Sequence, residues 1–471
     1  MFQTILRWIR EAWQKMFGVN NVKQALNVDI SISPEMVDKL QLWSQMYLNQ
    51  SPWLVGDMQS LNLAASIAKE LATTVTIEME VKVTGSARGD FLQAQLDPTV
   101  NAMRRYAEYA IAKGGLILKP YIYRDGLTVD YVQADQFYPI NFDANGNMAA
   151  AVFADQKVIG GSYYTRLESH TFLPDGNYQI YNTAWRSSSL DVLGTQIPLS
   201  SVADWAELEE TAIIQNVDRP LFAYFKMPFA NNVNTSSPLG VSIYSRATDL
   251  IKQADQQWTD FLWEFESGRR ALYTDPQAFK KDTKTGNPIL PDKRLYRVLD
   301  LVGKIDKQGL FEDWTPTIRE INILNGLDAI LRRIEFACGL SYGVLSNPEA
   351  IQLTATEIKA GKQRYYATVT DTQKALADAL EDLLYAMDVW TTLGNLAPRG
   401  NYTATYSWDD SIVADHDTQF IQDQQSVSQN TMPKYVFNIR NYGLDKETAK
   451  RWVQEAQGET PNTGSYFPSG A

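Results

Sequence analysis

The sequence predicts an α+β fold. Three observations carry this: apolar residues at helical spacing in the first hundred positions, a middle section of apolar runs broken by Asp-Gly and Asn-Gly dipeptides, and a second half of long helical patterns with a turn-rich insertion between them. With 471 residues, 44% hydrophobic and 21% charged, the composition is globular, and at about 150 residues per domain the length allows roughly three domains.

Ser33-Pro34-Glu35 reads as an N-cap followed by proline at the first helical position, and residues 61–71 (LNLAASIAKEL) read as a further helix. Residues 1–17 (MFQTILRWIREAWQKMF) are interrupted by Arg7, Arg10, Glu11 and Lys15, so they are no signal-peptide core. They form an amphipathic pattern that can lie on a bilayer, on a partner or, in the ordinary case, on the chain's own core. From Gly115 onward, Asp125-Gly126, Asn145-Gly146 and Asp175-Gly176 each separate two strand-like runs, which implies an antiparallel sheet. A polar loop at residues 231–238 closes that section.

Tyr244, Ala247, Ile251, Ala254, Trp258, Phe261 and Phe265 then alternate at spacings of three and four. This is a heptad stripe on a long helix, with Asp249, Asp255, Asp260 and Glu264 off the stripe. An ordinary core-facing stripe fits the pattern as well as a seam between subunits does. Residues 269–317 lose the helical period and carry many Gly and Pro residues, so they read as a small insertion of strands and turns. They hold ten Lys and Arg against seven Asp and Glu, in a chain whose formal charge is −12. A solvated basic face and a partner contact are both open readings of that local reversal. Helix returns over residues 318–336, stops at Gly339-Leu340-Ser341-Tyr342-Gly343 and Ser346-Asn347-Pro348, and restarts at Thr354-Ala355-Thr356-Glu357, which has capping-box form. The restarted pattern runs to Gly394, giving a rod of roughly 55–60 Å. Beyond it the sequence suggests a strand at YTATYSW and two helices, one from Asp415 and one from Asp445, then a Gly/Pro/Ser-rich tail at 458–471 read as disordered.

Composition also excludes. The acidic balance, 43 Lys and Arg against 55 Asp and Glu, repels the phosphates that dominate nucleic-acid affinity, so a tight sequence-reading DNA binder is not expected. One cysteine, Cys338, allows no intrachain disulfide, and His170 and His416 stand far apart, so no metal site and no cofactor is expected. No run of 18 apolar residues spans a membrane, which suggests an intracellular or particle-assembled protein. Ala360-Gly361-Lys362 lies within a helical pattern and is no phosphate-binding loop, and Arg88-Gly89-Asp90 is too short a match to an adhesion motif to carry weight. Neither histidine has a serine-hydrolase context. The adjacent acids Asp409 and Asp410 are the remaining enzymatic candidate, as a divalent-ion site of a nucleic-acid enzyme, though neighbouring acids ordinarily face different ways on a turn. The expectation is a structural protein and not an enzyme.

Several strings carry a resemblance. AIAKGGLILKPYI with LTVDYVQADQFYPINFDANGNM, PLGVSIYSRATDLIKQADQQWTDFLWEF, LTATEI and KYVFNIRNYGLDKETAKRWVQEAQGE resemble the portal proteins of tailed bacteriophages, in particular siphophages of Gram-positive bacteria. The likeness spans about residues 61–459. It implies a portal-like α+β fold with helical stem, β-rich wing, small α/β clip insertion, very long helix and helical crown. After an N-terminal helical segment at 1–60, the wing would take 61–230 and the stem helices 238–268 and 318–338, with the clip at 269–317 between them. The tunnel loop would take 339–353, the long helix 354–394, and a wing strand with crown helices 395–457. The resemblance also implies a homo-oligomeric ring, of twelve subunits in the virion, at one capsid vertex, assembled in the host cytoplasm. Double-stranded DNA would pass through it without sequence readout, and terminase, major capsid protein, scaffolding protein and a head-completion adaptor would be its partners; no membrane is implied.

Carried onto this chain, Ser341, Tyr342, Ser346, Asn347, Glu349 and Gln352 would face the DNA. Arg269, Arg270, Lys280, Lys281, Lys284, Lys293 and Arg294 would meet the clip's partners, and Tyr244, Ile251, Trp258, Phe261 and Phe265 would pack between subunits. Glu349 is the one charge between Leu340 and Leu353, which suits a conduit that must touch DNA without holding it. Other readings are a different oligomeric connector or head-assembly protein of a virus particle, and the metal-dependent enzyme above.

Overall fold

A computed structural model describes residues 18–268, 271–274, 280, 296–298, 311–314, 317–347, 355–408 and 416–458. The amphipathic segment 1–17, the Thr354 cap, Asp409-Asp410 and the tail beyond Gly458 lie outside the described residues. Two units divide the chain, Met1–Ser407 and Trp408–Ala471.

The first unit begins with helices α1 (Val19–Leu26), α2 (Pro34–Tyr47) and α3 (Leu63–Thr76). The Ser33 cap expected from the sequence is present, its hydroxyl oxygen accepting from Met36 N at 3.3 Å. Helix α3 buries Ala64, Ala68 and Ala72 with Leu71 and Ile67. Small residues on that face let it lie close to α4 (Ala87–Lys113), which follows the short strand β1 (Met79–Thr84). Helix α4 ends at Gly114, whose φ of +94° is left-handed. A Cβ there would also meet Gly240 O at 2.7 Å, so both the turn and the packing require glycine.

The middle of the unit holds two sheets, where the sequence suggested one. Strands β2 (Gly115–Tyr123) and β3 (Gly126–Gln133) form a hairpin, and β10 (Ala223–Lys226) adds to β2, antiparallel. The second sheet runs β4 (Phe137–Phe142), β5 (Met148–Ile159), β6 (Ser162–Phe172), β7 (Tyr178–Ser187), β8 (Thr195–Ile197), and β9 (Thr211–Ile214) also pairs with β7. The Asn145-Gly146 and Asp175-Gly176 turns join β4 to β5 and β6 to β7. In each loop an aspartate caps the bend: Asp143 Oδ1 accepts from Asn145 N and Asn147 N, both at 2.8 Å, and Asp175 Oδ1 accepts from Asn177 N at 3.0 Å. The first hairpin is shifted by one residue from the expected position. Its two-residue loop is Arg124-Asp125, with Arg124 left-handed, and Gly126 already pairs with Tyr123.

In the second half, α5 (Thr248–Ser267) and α6 (Glu320–Cys338) form an antiparallel pair. Between them lies a three-stranded sheet in which β11 (Ala271–Thr274) runs parallel to β12 (Tyr296–Val298) and antiparallel to β13 (Phe311–Trp314). Helix α7 (Ala355–Leu393) has 39 residues, about 58 Å at 1.5 Å per residue, close to the length read from the sequence. It packs on α3, α4, β2 and β10, and its Ala386 joins Tyr178, Ile180, Ile214 and Leu221 in one apolar cluster. Strand β14 (Thr403–Trp408) pairs with β1.

The second unit contains α8 (His416–Ser428), α9 (Lys434–Tyr442) and α10 (Lys446–Gly458). That is one helix more than expected, because α9 is short and its pattern, KYVFNIRNY, is mostly aromatic and polar. Arg440 and Asn441 of α9 hold the buried Asp423 of α8 at 3.1 Å each.

Candidate functional site: the paired helices and the loop after them

The stripe on α5 divides into two parts. Tyr244 and Ala247 precede the helix, and with Ile251 and Ala254 they are buried in their own chain; Tyr244 Oη donates to Trp43 O at 3.0 Å. The expectation that Tyr244 and Ile251 pack between subunits is therefore corrected, because intrachain contacts already cover them. Trp258 and Phe261 are half-buried and stack on one another at 5.3 Å between centroids, and Phe265 is exposed. Two of the four acids that lie off the stripe are buried as well. Asp255 is buried, accepting from Trp53 Nε1 and Leu61 N at 2.9 Å each, and so ties the 53–61 segment to α5. Glu264 is buried and accepts from Arg319 Nε at 3.0 Å and Nη2 at 2.8 Å, a two-pronged pairing that the planar guanidinium favours. Those hydrogen bonds hold the Glu264 carboxyl below its ordinary range.

This pair sits where the chain leaves α5 and re-enters α6, so it closes the base of the 269–317 insertion. Of the seven basic residues expected to meet partners there, Lys280 is described and exposed. Arg269, Arg270, Lys281, Lys284, Lys293 and Arg294 lie outside the described residues.

Near the same base, large apolar side chains are left in solvent. Trp263 is 61% exposed and Ile321 67%, with Leu262, Phe265 and Leu324 also exposed. Sequence periodicity missed Trp263 and Leu262, since they fall off the heptad stripe. Their signal was composition: bulky apolar residues on both sides of one helix.

The loop at 340–347 is built around Glu335, which is wholly buried on α6. Its Oε1 accepts from Gly343 N at 3.1 Å, Leu345 N at 2.7 Å and Ser346 N at 2.9 Å, and Ser346 Oγ donates to Oε2 at 2.8 Å. A single carboxylate thus satisfies three backbone donors that the irregular chain would otherwise leave open. Asn347 N donates to Asp328 Oδ1 at 2.7 Å, and Asp328 is ion-paired with Arg332. Tyr342 lies half-buried with the Arg364 guanidinium 5.6 Å from its ring, and Arg364 also covers the Phe336 ring at 4.5 Å. Among the expected DNA-facing residues, Ser341, Tyr342 and Asn347 are at least partly accessible. Ser346 is buried with its hydroxyl committed to Glu335, a correction; Glu349 and Gln352 lie outside the described residues. No group of three or more His, Cys, Asp or Glu side chains that could hold a metal is found among the described residues. No helix among them is long and apolar enough to cross a membrane.

Comparison with known proteins supplies the class and then the family. The class is that of structural components of phage particles. Residues 94–462 match the family described as "Phage portal protein, SPP1 Gp6-like", well over half of the chain, and the protein belongs to that family. Among solved structures, the chain is similar to one from the "neck of native GTA particle computed with C12 symmetry", at 10% identity and a TM-score of 0.42, covering 90% of this chain and 99% of that one. The search of curated proteins gave no match.

Proposed function

We propose that this portal-family chain assembles into a closed ring, of twelve copies in the particle, at one vertex of the capsid. Double-stranded DNA passes through its axis during packaging and ejection, and terminase and then head-completion proteins dock on its outer end. In this reading, residues 238–268 and 318–338 are the stem, 269–317 the clip, 339–353 the loop toward the channel, 354–394 the long helix returning to the wing, 61–230 the wing, and 395–457 a wing strand with the crown helices.

The observation that carries the ring is the apolar group at the base of the α5–α6 pair. Trp263, Phe265, Ile321 and Leu324 are each more than a third exposed among the described residues, and large apolar side chains gathered in solvent in this way mark an interface. A cyclic ring needs such a face to meet a different face of the neighbour. The channel role is supported by the loop's chemistry: hydroxyl, amide and aromatic groups with no fixed positive charge give little counterion release, so DNA is touched without being gripped.

Native mass spectrometry with negative-stain class averages of the full-length protein tests the reading. A ring of about twelve subunits with a hole wide enough for duplex DNA is expected. The double variant Trp263→Glu/Ile321→Glu should give monomers with unchanged circular dichroism. A wild-type protein that stays monomeric with scaffolding and capsid proteins present, or a ring indifferent to the double variant, would overturn the assignment.

A further inference from the structure

A second feature lies away from the helix pair and its loop and does not depend on the ring reading. A cavity of about 530 Å³ opens between the first turn of α4, the C-terminal end of α7 and the 399–401 segment; Arg88, Asn216, Asp388, Thr392, Arg399 and Asn401 are among its lining residues. Arg88 is only 2% exposed. Its Nε faces Asp388 Oδ1 at 3.2 Å and its Nη2 donates to Thr392 Oγ1 at 2.7 Å, but its Nη1 is buried with no hydrogen-bond partner.

A guanidinium presents five N–H donors and cannot shed its charge to escape burial, so an unpartnered Nη1 is a costly arrangement that calls for an acceptor. Arg399 lines the same cavity and makes no ion pair among the described residues. Two arginines against the single carboxylate of Asp388 leave the cavity with an excess positive charge, in a chain of net −12. A water molecule could fill the missing hydrogen bond, but it would leave that charge unbalanced. An anion with two or more oxygens answers both needs, because it brings acceptors as well as negative charge to the two arginines that line the cavity.

We infer that this cavity binds an oxyanion group, phosphate or carboxylate, between Arg88 Nη1 and Arg399. The volume left beside that group suits a small polar body, with Asn216 and Asn401 available to its hydrogen-bonding edges.

Isothermal titration calorimetry on the full-length protein tests this, using inorganic phosphate and acetate as separate probes against chloride at matched ionic strength. Saturable binding of at least one oxyanion is expected. Phosphate alone would identify a phosphate site, and an equal response to acetate a general carboxylate-or-phosphate site. Arg399→Ala, which alters an exposed side chain, should weaken binding at least about tenfold, the worth of one charge-assisted hydrogen bond. Asp388→Asn removes the competing negative charge and should tighten it. No saturable heat beyond chloride with either probe, or an Arg399→Ala variant that binds as wild type does, would overturn the inference.

Discussion

Replacing Glu335 by alanine isolates what holds the loop after α6. The carboxylate accepts four hydrogen bonds, three from the backbone of residues 343–346 and one from Ser346 Oγ, all between 2.7 and 3.1 Å. Hydrogen bonds to a charged group are each worth roughly 1.5–3 kcal/mol. Gly343 and Leu345 are half-buried, so water replaces part of what is lost, and about 1 kcal/mol per bond is the better figure. The total, about 4 kcal/mol, corresponds to an increase of about 10³ in the open population of the loop. Hydrogen exchange followed by mass spectrometry on peptides covering 340–347 reads this directly, because exchange through local opening scales with that population. Glu335→Gln keeps an acceptor of the same shape without the charge and should retain about half the energy, giving an increase of roughly thirtyfold. Exchange at Leu345 and Ser346 unchanged in Glu335→Ala would refute the claim that this carboxylate anchors the loop.

Two further outcomes follow from the packed interior. Burial pushes the His170 imidazole below the ordinary histidine range against the pull of Glu168, while Lys119 and Arg166 overcome burial and hold Glu168 well below the ordinary carboxylate range. In both cases the unfolded chain binds protons more readily than the folded one. Stability should therefore fall as the pH drops below about 6.5 through His170, and again below about 4.3 through Glu168. Thermal unfolding from pH 7 to about pH 3 should show both declines, and an unaltered decline between pH 7 and pH 5 in His170→Gln would count against the first. At Gly114, alanine would combine a left-handed backbone with a Cβ 2.7 Å from Gly240 O and 2.8 Å from Val241 Cα, a cost of about 2–5 kcal/mol. A Gly114→Ala protein with the wild-type unfolding temperature would show that α4 and the 240–241 segment do not meet as described.

The features legible in the sequence were those whose cause is local. The Ser33-Pro34 cap, the aspartate-capped turns at Asp143 and Asp175, and the length of α7 each depend on residues within a few positions of one another. Gly160-Gly161, both at positive φ in the two-residue turn between β5 and β6, was an equally local signal that went unused. What stayed hidden depends on partners far along the chain. The pairing of β10 with β2 joins segments about a hundred residues apart and completes a sheet separate from the one that β4 to β9 form. A periodic stripe says which side chains share a face but not what covers it, so the buried Tyr244 and the exposed Phe265 looked alike.

The same limit applies to charge. A sequence count assigns every acid to the surface, yet Asp255 and Glu335 are withdrawn from solvent and matched by neutral donors, with no ion pair among the described residues. Asp135 and Glu168 are withdrawn together with Lys113, Lys119 and Arg166. The first pair makes the exterior less acidic than −12 implies, while the second leaves its balance nearly unchanged because cations go inside with the anions. For a protein through which DNA is proposed to pass, repulsion by total charge is therefore the weaker half of the argument. The stronger half is local: a loop with no Lys or Arg between residues 340 and 353, whose described backbone is held by the buried Glu335 carboxylate of α6.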